Sequence, residues 1–371
     1  MRVLLLSAYD ADSHKRWRRG LVAAMPDWQW TTLSLPPRYF SWRVRGNSLS
    51  WGRGESLALL RQPWDLIVTT SMTDLASLRG LVPSLAGVPT VVYFHENQFD
   101  YPRSKDAVAT VEPQLLNIYT ALCGDLLLFN SEYNRRTLLD GAAALLQKLP
   151  DHVPIGICEE IAGKSRVLPV PLEGEAFQVP RERPERPTFV WNHRWEYDKG
   201  PDILLAAARR FGAAQIPFTL HVVGQQFRRQ PAEFAELRQL LEELGALGAW
   251  GYQESLAGYR QLLGQSHAVI STARHDFQGL AVLEAVATGC QPLVPDNLAY
   301  PEWFGSGGWH YSENVASSAA NLAALMQRCA LDIQQGAARP VPDVSAMSWE
   351  ALSISYRQLL EQCAGGECGA D

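Results

Sequence analysis

The chain has 371 residues, 33 Lys plus Arg against 39 Asp plus Glu, a formal net charge of −6, and 47% hydrophobic and 19% charged residues. That length suits two domains, each able to bury most of its apolar surface, and the composition is that of a globular enzyme without low-complexity blocks or a repeat of fixed period. The negative balance excludes wholesale polyanion binding, which draws on many Lys and Arg contacts to phosphate, but it leaves room for a local basic patch.

The opening Met1 to Ala8 has one basic residue and a short apolar run, and Asp10 and Asp12 follow where a signal peptide would still be apolar. It reads as a first buried strand. No later segment approaches the roughly 20 uninterrupted apolar residues of a membrane span, so the expected location is cytoplasmic. Val3 to Ala8, Leu66 to Thr70, Thr90 to Phe94 and Asp125 to Asn130 have the apolar character of buried parallel strands, with helices between them. A stretch rich in Pro, Arg and Glu then reads as an exposed linker over 173–187, separating a first domain at 1–172 from a second at 188–345.

The alternation resumes with Phe189 to Asn192, Phe218 to Gly224, Ala268 to Thr272 and Gln291 to Pro295, with a helical pattern at Phe234 to Leu244. The last pattern, Trp349 to Gln362, sets Leu352, Tyr356, Leu359 and Leu360 on one face. The region 346–371 is expected to be a helix returning to the first domain, followed by a tail. The expected fold class is α/β: two Rossmann-like, doubly wound domains facing a central cleft, which is where such architectures bind ligands. Cys123, Cys158, Cys290, Cys329, Cys363 and Cys368 form no C-x-x-C pair, so free thiols are expected rather than a zinc site or disulfide framework.

The most specific feature is Asp276-Phe-Gln-Gly279-Leu280-Ala-Val-Leu-Glu284, placed after the predicted strand near Val269. A helix beginning near Gly279 would point its free N–H groups and dipole at an anion such as a diphosphate. Asp276 would then accept hydrogen bonds from sugar hydroxyls and Glu284 from a ribose diol. The plainer reading makes Asp276 a helix-capping residue and Glu284 a solvated one. A second cluster, Asn192-His-Arg194-Trp-Glu-Tyr-Asp-Lys199-Gly-Pro, puts two cations at a strand's carboxyl end. Arg194 can grip phosphate in two places and Lys199 adds a point charge, which together would stabilise a departing diphosphate. The plainer reading is a pair of surface salt bridges, worth about 0 to 1 kcal/mol each. Gly224 and Tyr252 are expected to border the donor, and residues near Trp250 to Tyr252 and Gln225 to Phe227 would shape a purine pocket, or else the aromatic ones among them lie in the core.

The Arg194/Lys199 pair followed by two acids eight positions apart resembles the donor site of family-4-type retaining GT-B glycosyltransferases, where the first acid is usually Glu rather than Asp. A narrower resemblance rests on Ser13-His14-Lys15, Tyr93-Phe-His95-Glu96-Asn97-Gln98, Phe129-Asn-Ser131, Asn192 to Lys199, Trp250-Gly-Tyr252, Ile270 to His275 and Tyr300-Pro-Glu302. These blocks are similar to the tRNA-queuosine α-mannosyltransferase family and span most of the chain. The resemblance implies mannose transfer from GDP-mannose onto queuosine at the wobble position of tRNA-Asp. It also implies that His95 reaches the transferred sugar, with Glu96, Asn97 and Gln98 beside it. Two glycines that usually precede Ser-His-Lys are here Ala11 and Asp12, which bears on acceptor fit.

Asp10-Ala-Asp12 follows the first strand with no third acidic ligand recognisable nearby, so it reads as a loop rather than a metal site. No metal or other cofactor is expected, since Arg194, Lys199 and the helix end can do a metal's electrostatic work.

The first sixty residues are locally basic, with Lys15, Arg16, Arg18, Arg19, Arg38, Arg43, Arg45 and Arg53 interleaved with Trp17, Tyr39, Phe40, Trp42 and Trp51. Arg and aromatic side chains suit the phosphates and splayed bases of an anticodon loop. An ordinary solvated helix face, or a surface for an anionic lipid, fits the same pattern. The alternatives are therefore the same fold acting on a lipid or polysaccharide acceptor, and a binding module for a nucleotide sugar or RNA that has lost turnover.

Overall fold

The computed structural model describes residues 1–100, 110–149, 151–305, 310–311, 317–337 and 340–367. It divides into two compact units, Met1–Pro171 with Trp349–Asp371, and Leu172–Ser348.

In unit 1 the strands are β1 (Arg2–Ser7), β2 (Gln29–Ser34), β3 (Leu66–Thr70), β4 (Thr90–Phe94), β5 (Leu126–Phe129) and β6 (Ser165–Val167). They form one parallel sheet in the order β2-β1-β3-β4-β5-β6. The inner strands are continuous apolar runs because helices cover both faces: Leu4, Leu6 and Ile67 pack with Trp51 and Leu78, whereas Val92, Phe94, Leu127 and Phe129 pack with Ile118 and Leu138. The edge strand β2 differs. Its Gln-Trp-Thr-Thr-Leu-Ser alternates between partly covered and exposed positions, so it lacks the apolar run that marks its neighbours.

In unit 2 the strands are β7 (Thr188–Trp191), β8 (Thr219–Val223), β9 (Leu247–Gly251), β10 (Ala268–Ile270), β11 (Gln291–Pro295) and β12 (His310–Tyr311). Their order is β12-β11-β10-β7-β8-β9, again parallel. Counted within the unit from the β9 edge, this is the 3-2-1-4-5-6 Rossmann order, which reverses direction between β7 and β10. An aromatic cluster fills one face, with Trp195 stacked on Phe234 at 4.1 Å and Phe189 edge-on to Phe211 at 5.7 Å.

The segment 173–187, expected as a linker, belongs to unit 2. Glu173 pairs with Arg260, and Arg183 donates to the Gly289 carbonyl. Ionic and backbone contacts tie the strip down, and composition signals those less clearly than apolar burial. The last helix, Trp349–Ala364, lies in unit 1. There the Tyr356 hydroxyl accepts from Trp17 Nε1 at 3.1 Å and donates to the Pro169 carbonyl at 3.0 Å. Of the expected tail, residues 368–371, including Cys368, lie outside the described residues. The five described cysteines are free thiols. Among the described residues no helix is long and apolar enough to cross a membrane.

Candidate functional site

The strand-order reversal of unit 2 gathers its chemistry. Beyond β7, Asn192, His193 and Arg194 leave the carboxyl end of the sheet, and a turn at Tyr197–Lys199 leads into the helix Pro201–Gly212. Beyond β10, a loop leads through Asp276 to the helix Leu280–Ala287. Lys199 is buried; its Nζ donates to the His275 carbonyl at 2.6 Å and lies 3.3 Å from Asp198 and 3.8 Å from Asp276. Arg194 keeps 41% of its side chain exposed, 2.8 Å from Glu196 and 3.9 Å from Asp198. The buried Asp198 carboxylate thus stands between the two cations and offsets their mutual repulsion.

Asp276 does two things at once. Its Oδ1 accepts from the Gly279 N–H at 2.9 Å, as the capping reading expects, while Oδ2 faces Lys199 and, at 3.4 Å, the Tyr300 hydroxyl. Burial would push the Asp276 carboxyl up, but Lys199, His193 and the Gly279 N–H outweigh it and hold the group below its ordinary value. Gly279 has φ +76, and a Cβ there would lie 2.6 Å from the Tyr300 ring, so only glycine fits the turn that starts this helix at Leu280. Glu284 sits in the helix with 7% exposure, so the solvated-position reading does not hold for it. Gly224, just past β8, has φ +143, and a Cβ there would meet the His193 carbonyl at 1.9 Å. Tyr252, past β9, is 59% exposed.

Three residues of this cluster were not singled out by sequence reasoning. Besides Asp198, Asn192 donates to the Tyr259 hydroxyl at 2.9 Å and the Ala281 carbonyl at 2.7 Å, tying the end of β7 to the first turn of Leu280–Ala287. Tyr300 links Ser271 and Asp276. All three fall inside blocks that carried the family resemblance, but nothing in their type or spacing assigned them a task. Among the described residues, the buried Asn192 Oδ1 and His193 Nε2 have no hydrogen-bond partner. Burial, reinforced by Lys199, depresses the His193 imidazole to about 4, so it is neutral near pH 7.

A second group sits at the carboxyl ends of β1 and β4 in unit 1, where the strand order also reverses beside β1. His14, in the helix Asp12–Ala24, stacks on His95 with ring centroids 4.1 Å apart, and its Nε2 is 3.1 Å from Glu96. Trp17 and Tyr93 pack against His95 from other sides, at 4.9 and 4.6 Å. Burial would lower the His14 imidazole, but Glu96 outweighs it and raises it; burial and the neighbouring His14 lower His95 well below its usual value. Gln98 approaches the Met72 sulfur at 3.7 Å and Lys15 is partly exposed.

Several acceptor-side expectations change. Arg18 grips both oxygens of Asp10, at 2.7 to 3.1 Å. Arg43 is buried at 8% exposure and donates to the Pro36 carbonyl. Arg45 pairs with Asp74 and Glu112. Asn97 is fully buried: its amide donates to Asn134 and Thr137 and accepts from the Phe99 and Asp100 N–H groups, so it shapes the loop from within. Trp17 and Trp51 are core residues. Each belongs to a helix whose inward face a count of charges and rings cannot reveal. Ala11 has φ −61 and ψ 164, a region open to any residue, so the replaced glycine costs no backbone strain. Among the described residues no group of three His, Cys, Asp or Glu side chains is arranged to hold a metal ion.

Two Rossmann-like units in tandem, the second with paired cations beside a helix amino end at its switch point, define a glycosyltransferase of the GT-B class. The whole chain is similar to sucrose-phosphate synthase from Thermosynechococcus elongatus, at TM-score 0.71 and 17% identity over 99% of this chain and 100% of that one. It is also similar to Anabaena HepE in complex with UDP, at TM-score 0.64 and 15% identity over 98% and 100%. Residues 2–172 match the family model for the tRNA-queuosine alpha-mannosyltransferase N-terminal region, and residues 173–332 match glycosyl transferases group 1. A tRNA-queuosine alpha-mannosyltransferase of Drosophila melanogaster is 31% identical over 324 residues, 84% of each chain. The chain belongs to the tRNA-queuosine α-mannosyltransferase family.

Proposed function

We propose that this enzyme transfers mannose from GDP-mannose to queuosine at the wobble position of tRNA-Asp, retaining the anomeric configuration and using no metal. The observation that carries the reading is the convergence of Arg194, Lys199, Asp276 and the Gly279 turn at the β7/β10 switch point. In this reading the diphosphate lies against Arg194, Lys199 and the amino end of Leu280–Ala287. Asp276 accepts from mannose hydroxyls, Glu284 from the ribose diol, and Gly224 and Tyr252 border the nucleoside.

Transfer follows as a front-face substitution. The bond from the anomeric carbon to the β-phosphate oxygen breaks while the queuosine hydroxyl bonds to that carbon from the same side. The hydroxyl proton passes to the departing phosphate oxygen, so the nucleotide leaves as GDP. Negative charge builds on the diphosphate as the bond breaks, and fixed cations aimed at that charge supply several kcal/mol of stabilisation. The family assignment and the exposed basic residues of unit 1 support an RNA acceptor.

The test is to incubate the purified enzyme with queuosine-containing tRNA-Asp and GDP-mannose, digest the RNA and weigh the modified nucleoside. A hexose increment is expected. GDP-mannose hydrolysis without an increment would move the acceptor elsewhere, and an increment with another donor alone would overturn the donor.

A further inference from the structure

Unit 1 presents three aromatic rings to solvent within one turn of chain: Tyr39 is 74% exposed, Phe40 39% and Trp42 53%. Clustered exposed rings mark interaction surfaces more often than scattered ones do. These rings are also held in place. The Trp42 indole lies against Gly46, one helical turn on, where a Cβ would come within 2.2 Å of the ring. One face of the indole therefore rests on helix backbone while the ring keeps half its surface in solvent. Tyr39 adopts a left-handed conformation, φ 54 and ψ 54, that is uncommon for an aromatic residue, and the Arg38 guanidinium lies 5.7 Å from its ring centroid.

The rings and their helix are tied to the segments that follow β1 and β3 in the same unit. Phe40 meets Tyr9, just past β1, edge-on at 6.0 Å. From the same helix, Phe40–Gly52, Asn47 donates to the Met72 carbonyl and accepts from the Asp74 N–H, fixing the helix to the loop after β3.

We propose that Tyr39, Phe40 and Trp42, with Arg38, form a stacking platform for unpaired RNA bases. Flat open rings beside a guanidinium match the faces of splayed bases and the phosphates between them, whereas a duplex keeps its base faces in the stack. A lipid surface fits less well. An interfacial helix shows a continuous apolar face, but this one turns Val44 and Trp51 inward and exposes Arg45, paired with Asp74 and Glu112. The inference deepens the RNA-acceptor reading and rests on it.

The test titrates the full chain with a fluorescent RNA hairpin carrying an unpaired loop, a blunt RNA duplex of equal length, and phosphatidylserine vesicles. Preference for the hairpin is expected, with Trp42→Ala and Tyr39→Ala each weakening it by about tenfold and Trp42→Phe retaining most of it. Unchanged thermal unfolding of the variants keeps the comparison sound, since these rings are outside the core. Equal affinity for hairpin and duplex, no effect of Trp42→Ala, or vesicle binding without hairpin binding would each overturn the platform. Hairpin binding through these rings, with no hexose increment when queuosine-containing tRNA-Asp and GDP-mannose are supplied, would overturn the proposed reaction and leave the platform standing.

Discussion

His14 and His95 lie ring on ring with their planes inclined by 17°, and the carboxylate of Glu96 meets His14 at 3.1 Å. Two imidazoles that close cannot both carry charge cheaply, and the carboxylate decides which one does. His14, held above its ordinary value, contributes stability that is present below pH 6.5 and lost as pH rises through its folded value. His95, held well below, contributes stability that is present above pH 6.5 and lost as pH falls toward its folded value. NMR titration of the ring protons should find His14 protonating first and His95 neutral near pH 7. In Glu96→Gln, His14 should titrate below 6.5, and an unmoved His14 would show that Glu96 does not set the order.

Lys199 and Arg194 are predicted to act on the departing diphosphate. Lys199→Met and Arg194→Ala should each lower kcat for sugar transfer about 10²- to 10³-fold while the fold is retained, because each removes a donor aimed at developing charge. Steady-state kinetics with circular dichroism as the folding control checks this, and wild-type rates in folded variants would remove the pair from the mechanism.

Acid should loosen unit 2 through histidines remote from the switch point. His221 Nδ1 accepts from the Ala249 N–H at 2.8 Å and His267 Nδ1 from the Thr188 N–H at 3.2 Å, and a protonated ring nitrogen cannot accept. Burial lowers both to about 4, with Arg183 adding to the effect at His267. Their stabilising contribution is complete above pH 6.5 and is lost as pH falls toward 4. Urea midpoints measured across that window should decline, and His267→Gln should decline less steeply than wild type.

Gly279→Ala should cost about 1–3 kcal/mol in unit 2, since φ +76 is unfavourable for alanine and the new methyl would strike the Tyr300 ring. If Tyr300 moves, its contact with Asp276 goes with it, so donor binding should weaken alongside stability. Thermal unfolding and GDP titration of the same variant read the two effects separately.

The buried strands were legible because β1, β3, β4 and β11 each carry a run of apolar residues in a segment that is buried almost throughout. Strands β2 and β9 were not: one is an alternating edge strand rich in Thr, and the other is Leu-Gly-Ala-Trp-Gly, where glycine hides the pattern. The proximity of Arg194, Lys199 and Asp276 was legible through spacing, which a strand-turn-helix unit converts directly into nearness. Asp198 was not, because its role depends on sitting between cations whose side chains fold back on the same turn. The internal contacts of Arg18, Arg43 and Asn97 were illegible for the converse reason. Their partners, Asp10, the Pro36 carbonyl and Asn134, meet them only once loops have closed.

The helix Trp349–Ala364 completes a unit that the chain began at its first residue, with the Tyr356 hydroxyl bridging Trp17 and the Pro169 carbonyl. During synthesis, all of Leu172–Ser348 must therefore be made before the first unit can be finished, a wait of the order of ten to thirty seconds at cellular elongation speeds. Unit 2 has all its own strands by then and can fold first, so the order of maturation runs against the order of the sequence. A ribosome that stops short of Trp349 would release a finished unit 2 attached to an unfinished unit 1, with the partners of Tyr356 left uncovered for quality control to find.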